Sequence, residues 1–282
     1  MLKGLTRAGL GQIGGVKEFI QLASEYGFEA IDTDGKSLED FIAAEGLEGA
    51  KAFLQDYNVQ IGTIGLSVEW RGTDEEYRSG LQRLVADGEA ASALGCTSCT
   101  TYILPSTDYN AAQLMAKATT RLRTCAKILG SFGISLGLEF VGPHHLRTRW
   151  KNQFIWDLAQ TLDFIDAIGE KNVGLLVDAY HCYTTGLSNE ELAQLDTSQI
   201  VHVHINDAKD IPVEDVLDND RLYPGEGVID LVGFLKAVKA TGYQGPVAQE
   251  ILTQQPPTES TDILLKKTQE AYAKLYKAAG LE

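Results

Sequence analysis

The sequence predicts an α/β chain folded as a (β/α)8 TIM barrel, and three observations carry that reading. Short β-rich runs alternate with longer helical patterns from one end to the other, about eight such repeats occupy the chain, and glycines mark the turns that lead from helix back to strand. Alternation of this kind specifies a parallel sheet, because neighbouring parallel strands need a crossover long enough to hold a helix.

Taken in order, strands are expected over 2–10, 30–34, 59–68, 96–104, 134–140, 173–178, 201–206 and 246–252. Helical patterns fill 16–26, 74–94, 111–129, 154–168 and 231–240, and a last helix runs to about Ala279. Gly27, Gly95, Gly130, Gly169 and Gly242 each follow a helical stretch, where a left-handed terminal residue is easily accommodated. No Pro- or Ser-rich linker divides the chain, and the nearest approach to one, 254–260, only separates the last strand from the final helix. A single domain over 1–282 is therefore expected. A doubly wound open sheet is the alternative, and Gly9-Leu10-Gly11 after the first strand is not read as its dinucleotide loop.

Composition narrows the function. With 282 residues, 44% hydrophobic and 22% charged, the chain is neither disordered nor collagen-like. Its 24 Lys and Arg against 39 Asp and Glu leave a net charge of −15, a field that repels phosphate backbones and anionic membranes. Nucleic acid is not an expected partner. The first residues, Met1-Leu2-Lys3-Gly4, open no apolar run of signal-peptide length, and nothing later approaches the roughly 18 apolar residues of a membrane span, so a cytoplasmic location is expected. Cys96, Cys99, Cys125 and Cys182 are too sparse for a disulfide scaffold, and Cys96-Thr97-Ser98-Cys99 has no second pair to complete a zinc site.

In a barrel of parallel strands, the residues that close the strands converge on one mouth. Four consecutive strands end in metal-ligand types: Leu136-Gly137-Leu138-Glu139, Leu176-Val177-Asp178, Val203-His204-Ile205-Asn206-Asp207 and Val247-Ala248-Gln249-Glu250. An unpaired charge at the end of an apolar strand costs several kcal/mol, roughly, of desolvation. A shared cation removes that cost, and few basic residues stand nearby in these strands to do so instead. Three carboxylates and one imidazole suit one divalent ion, Mn2+, Mg2+, Co2+ or Zn2+.

In these residues the sequence resembles the xylose isomerase-like superfamily, which includes ketose epimerases, hydroxypyruvate isomerases, inosose dehydratases and endonuclease IV. Asp178-Ala179-Tyr180-His181 resembles its D-x-x-H, His204-Ile205-Asn206-Asp207 its H-x-x-D, and Pro224-Gly225-Glu226-Gly227 its P-G-x-G loop. The resemblance implies that Glu139, Asp178, His204 and Glu250 ligate the metal, that His181 contacts substrate, and that Asp207 orients His204. It also implies a sugar isomerase or epimerase, in which Glu139 and Glu250 remove and return a proton next to the carbonyl of a polyhydroxy ketone through an enediolate. A metal-dependent dehydratase of the inosose or dehydroshikimate type is the alternative.

The departures are specific. Gly65-Leu66-Ser67 and Thr101-Tyr102-Ile103 hold none of the extra histidines of endonuclease IV, and in Asp220-Arg221-Leu222 a leucine stands where that branch has a third-site ligand. The epimerase pattern places a glutamate where this chain has His145, and an arginine where it has Asp210.

Four further residues have both a functional and a plain reading. His145, in a basic loop with His144, Arg147 and Arg149, contacts substrate or is a solvated loop residue. Trp70 stacks on a sugar or packs in the core, and Lys209 reaches the substrate or stands on the surface. His202, two residues before His204, points the same way along its strand but lies deeper, and is read as a hydrogen-bonded core histidine ahead of a metal ligand. The final helix carries an apolar stripe of Leu264, Leu265, Tyr272, Leu275 and Tyr276 that either closes the barrel or buries against another subunit of a homo-oligomer.

Overall fold

The computed structural model describes residues 1–281. Its strands are β1 (Leu2–Leu5), β2 (Ala30–Asp34), β3 (Gln60–Gly65), β4 (Ser98–Ile103), β5 (Ser135–Phe140), β6 (Val173–Asp178), β7 (Ile200–Ile205) and β8 (Pro246–Gln249). Each pairs in parallel with its neighbours, and β8 returns to β1, so these eight strands close into a barrel. The outer helices are α1 (Val16–Glu25), α2 (Gly35–Glu45), α3 (Leu47–Asp56), α4 (Asp74–Ala93), α5 (Ala111–Ser131), α6 (Leu158–Ile168), α7 (Ala179–Thr185), α8 (Leu231–Ala240) and α9 (Thr261–Ala279). The closed barrel removes the open doubly wound sheet from consideration.

The expected strands are all present, and two of them, β2 and β6, have the expected limits. The first is much shorter than its apolar run, because the chain turns where Leu10 N donates to Arg7 O, with Gly9 and Gly11 at φ of 77° and 74°. Gly9, Gly11 and Gly14 do have G-x-G-x-x-G spacing, but this loop serves packing. A Cβ on Gly9 would stand 2.5 Å from Ile251 Cβ. Gly9→Ala is therefore expected to lower stability by more than about 1 kcal/mol, from left-handed backbone strain and the clash together, as read by urea denaturation. A cost below half of that would show the β1 loop free to move away from β8.

Helices α2 and α3 are not among the stretches assigned from the sequence; Asp34 caps α2, its carboxylate accepting from Ser37 N at 2.8 Å, and α3 starts after Gly46. Gly130 does not end α5 as expected; it lies inside the helix, and the left-handed residue is Gly133 at φ 73°. The stripe on α9 closes the barrel. Leu264, Leu265, Tyr272 and Tyr276 are buried, and Tyr272 Oη donates to Val247 O at 2.9 Å while Tyr276 Oη donates to Leu2 O at 3.2 Å. All four cysteines are buried free thiols, as an ordinary packing role requires. Among the described residues, no helix is long and apolar enough to cross a membrane.

Candidate metal centre

Strand register brings the four strand-terminal groups together. His204 on β7 is level with Asp178 on β6 and Ala248 on β8, and Glu250 stands two residues beyond Ala248, on the same side of the strand. Glu250 N still donates to Ile205 O at 3.1 Å, which holds it in line with the sheet. One ligand atom from each of Glu139, Asp178, His204 and Glu250 lies within 4.8 Å of the others. His204 Nδ1 is 3.8 Å from Glu139 Oε1, 3.9 Å from Asp178 Oδ2 and 3.6 Å from Glu250 Oε2.

Those gaps are too long for hydrogen bonds, and bonds of roughly 2.0–2.2 Å to a central ion would span them with small adjustments. Glu139 Oε1 and His204 Nδ1 are buried without a hydrogen-bond partner, and both face the cluster. A divalent cation would satisfy both, so the donor set fits such an ion. Burial, then Glu250 and Asp178, push the Glu139 carboxyl well above the usual carboxylate range. Burial works against charge on His204, but Glu250 and Asp32 outweigh it and hold the imidazole well above its ordinary value. Both shifts express negative charge in excess. Titration with Zn2+ to a hundred times its Kd is expected to stabilise the protein by about 2.7 kcal/mol, and a melting curve indifferent to added divalent ions would remove the site.

The D-x-x-H spacing acquires a local cause. Asp178 is the N-cap of α7, its Oδ1 accepting from Tyr180 N at 2.6 Å, so His181 falls on the first turn, facing the cluster. His181 Nδ1 accepts from Gly142 N at 3.3 Å, which leaves its proton on Nε2, 3.9 Å from both Glu139 and Asp218.

Asp207 is a correction. Its carboxylate does not orient His204; Oδ2 accepts from Gly225 N and Gly227 N, and Oδ1 from Ala208 N and Ile229 N, all at 2.9 Å. It thus organises the P-G-x-G loop, where a Cβ on Gly227 would stand 2.0 Å from Ala208 O. Asp207→Ala leaves these donors without their acceptor and is expected to cost about 2–4 kcal/mol; a thermal shift within error would contradict this role.

Arg221 is the functional residue the sequence reading missed. Asp207 and Leu222 form an antiparallel bridge across the base of the intervening excursion, which turns Arg221 inward. Its Nη1 donates to Asp178 Oδ2 and Glu250 Oε2, each at 2.9 Å, and its Nη2 donates to Asp218 Oδ1 at 2.8 Å. The chain has Asp210 six residues after His204, where the epimerase pattern has an arginine; the structure brings a guanidinium to the cluster from Arg221 instead. Burial raises the Asp178 carboxyl, but Arg221, His181 and His204 outweigh it and hold the group well below the usual range. The strands themselves do hold few basic residues, as expected, but Arg221 comes from the excursion after β7 and pairs with two of the carboxylates. The only sequence signal was Asp220-Arg221 just ahead of the glycine loop. Asn206, buried at the end of β7, also donates to both oxygens of Asp178.

The remaining residues lie around this core. Trp70 is buried, donates to Thr101 Oγ1 at 3.1 Å, and lines a cleft of about 310 Å3 with Leu104, Tyr109, Trp150 and Phe154. His145 is half-buried on the short helix His144–Arg147, and its Nδ1 has no partner. Lys209 donates to Asp220 at 2.6 Å, not to the cluster. His202 is fully buried, donating from Nε2 to Asp32, as a core histidine should.

Comparison with known proteins agrees with this fold. The family described as xylose isomerase-like TIM barrel matches residues 20–271. The chain is 26% identical to the inosose isomerase of Bacillus velezensis over 267 residues, 93% of each protein. A xylose isomerase domain protein from Alicyclobacillus acidocaldarius is 34% identical and superposes with a TM-score of 0.91 over 99% of both chains. The IOLI protein, solved with a zinc atom bound, shares the fold at a TM-score of 0.80 and 20% identity over 99% of both chains.

Proposed function

Because the chain belongs to the xylose isomerase-like TIM-barrel family, we propose that it is a divalent-metal-dependent isomerase or epimerase of a small polyhydroxy ketone, with an inosose as the first candidate substrate. The observation that carries this reading is the convergence of two glutamates, an aspartate and a histidine on one barrel mouth. Similarity to an inosose isomerase along nearly the whole chain supports the substrate class.

When bound, a divalent cation would supply Lewis acidity toward the ketone oxygen. Glu139, Asp178, His204 and Glu250 would hold it. Glu139 comes from β5 and Glu250 from just beyond β8, so the two carboxylates approach the substrate from different sides of the mouth. One takes the proton from the carbon next to the carbonyl, the electron pair moves onto the carbonyl oxygen, and the other returns a proton to complete the isomerisation. His181 Nε2–H is free to donate to a substrate oxygen, since its Nδ1 is already engaged by Gly142. Arg221 keeps Asp178 and Glu250 ionised and in place. His145, whose Nδ1 has no partner, would contact substrate from the loop after β5, whereas Trp70 is buried and Lys209 is engaged by Asp220.

The test is transfer of deuterium from heavy water into inososes and ketoses by the metal-loaded protein, followed by NMR. Exchange and interconversion of isomers are the expected result. A dehydratase would share the first proton abstraction and then expel a β-hydroxyl, so growth of enone absorbance without isomer formation would replace the isomerase with the lyase. Loaded protein that exchanges no proton in any of these ketones would end the reading.

A further inference from the structure

The cluster rests on a second buried group that none of the motifs touches. Asp32, on β2, lies across the barrel from β7, and its side chain is only 9% exposed. A single oxygen, Asp32 Oδ2, faces His202 Nε2 at 2.8 Å and His204 Nε2 at 3.2 Å. A carboxylate oxygen only accepts, so both ring nitrogens that face it carry protons. For His204 this decides the tautomer, since the other nitrogen, Nδ1, is the one turned toward Glu139, Asp178 and Glu250. Gly62 on β3 makes room for the arrangement, because a Cβ there would stand 2.5 Å from Asp32 Oδ1.

Stability alone does not favour such a group. Asp32 Oδ1 and His202 Nδ1 are buried without partners, each at a desolvation cost, and well-packed apolar residues commonly replace buried ion pairs without loss.

We propose that Asp32 is the positioning residue of the metal centre: it holds the proton of His204 on Nε2 and so presents the Nδ1 lone pair to the cation, while His202 fixes the same carboxylate oxygen by its own N–H. The proposal rests on the metal-centre reading above and adds to it a residue that acts only through His204.

Asp32→Asn keeps the shape and removes the charge. Zn2+ titration of the purified variant against a chelator of known affinity is expected to give a Kd about 10–100-fold weaker than that of the unaltered protein. Nitrogen NMR of the Zn2+-loaded unaltered protein is expected to show zinc on Nδ1 of His204 and the proton on Nε2. That spectrum is a readout that a purely structural aspartate would not determine. An Asp32→Asn protein that binds Zn2+ as tightly as the original overturns the proposal, and so does a spectrum with zinc on Nε2. Should the variant fail to fold, the spectrum of the unaltered protein decides. Failure of the unaltered protein to bind Zn2+ overturns the metal-centre reading and this proposal together, whereas tight binding by both proteins overturns only the role of Asp32.

Discussion

Glu250→Gln is expected to slow deuterium exchange into the ketone substrate by about a hundred- to ten-thousand-fold, with the protein still folded. Gln keeps the shape and one oxygen of the side chain, and its amide cannot take or deliver a proton at neutral pH. Arg221 Nη1, which donates to Glu250 Oε2 at 2.9 Å, can still donate to an amide oxygen, so the surrounding network survives. Glu139→Gln is expected to lose activity on the same scale, because its carboxylate is the second proton-carrying group of the pair. The double variant should lose far less than the product of the single losses, since two groups that serve one proton transfer act as a unit. The measurement is exchange followed by NMR beside metal content by elemental analysis. Wild-type exchange by a metal-loaded Glu250→Gln protein would remove Glu250 from the chemistry. Loss of metal together with activity would instead make its role one of ligation.

Arg221→Met is expected to lower stability by about 3–5 kcal/mol, the range seen when one partner of a buried ion pair is removed. The methionine fills much of the volume, so the loss would come from buried Asp178 and half-buried Glu250 standing without the guanidinium that faces both. Arg221 is itself buried, and its Nη2 also donates to Asp218 Oδ1 at 2.8 Å. A divalent ion supplies positive charge to the same carboxylates, so added Zn2+ should recover more stability in the variant than in the unaltered protein. Urea denaturation with and without the ion reads both effects. A variant as stable as the original, with the same response to Zn2+, would show that Arg221 does not balance the charge of the centre.

The four ligand types were legible because each is a local feature. Glu139, Asp178, His204 and Glu250 all end apolar strands, and in a parallel barrel every strand ends at the same mouth. The role that failed was the one carried over to Asp207 from the family's H-x-x-D. Asp207, three residues from His204, turned to the glycine loop because four backbone N–H groups needed an acceptor there. Arg221 reached the cluster through an excursion whose path depends on the bridge between Asp207 and Leu222, which no periodicity announces.

Amino-acid order was sufficient for the barrel and for the cluster of strand-terminal groups that could hold a cation, because alternation of strands and helices, glycine turns and strand-terminal polar groups are properties of short segments. The carboxylate that orients His204 came from Asp32, 172 residues away. Closure of the sheet alone brings β2 and β7 face to face across the interior, with β1 and β8 between them along the wall. A contact made through the middle of a closed barrel leaves no pattern in the segments that make it, so the partner of His204, and with it the nitrogen offered to a cation, was settled by tertiary structure.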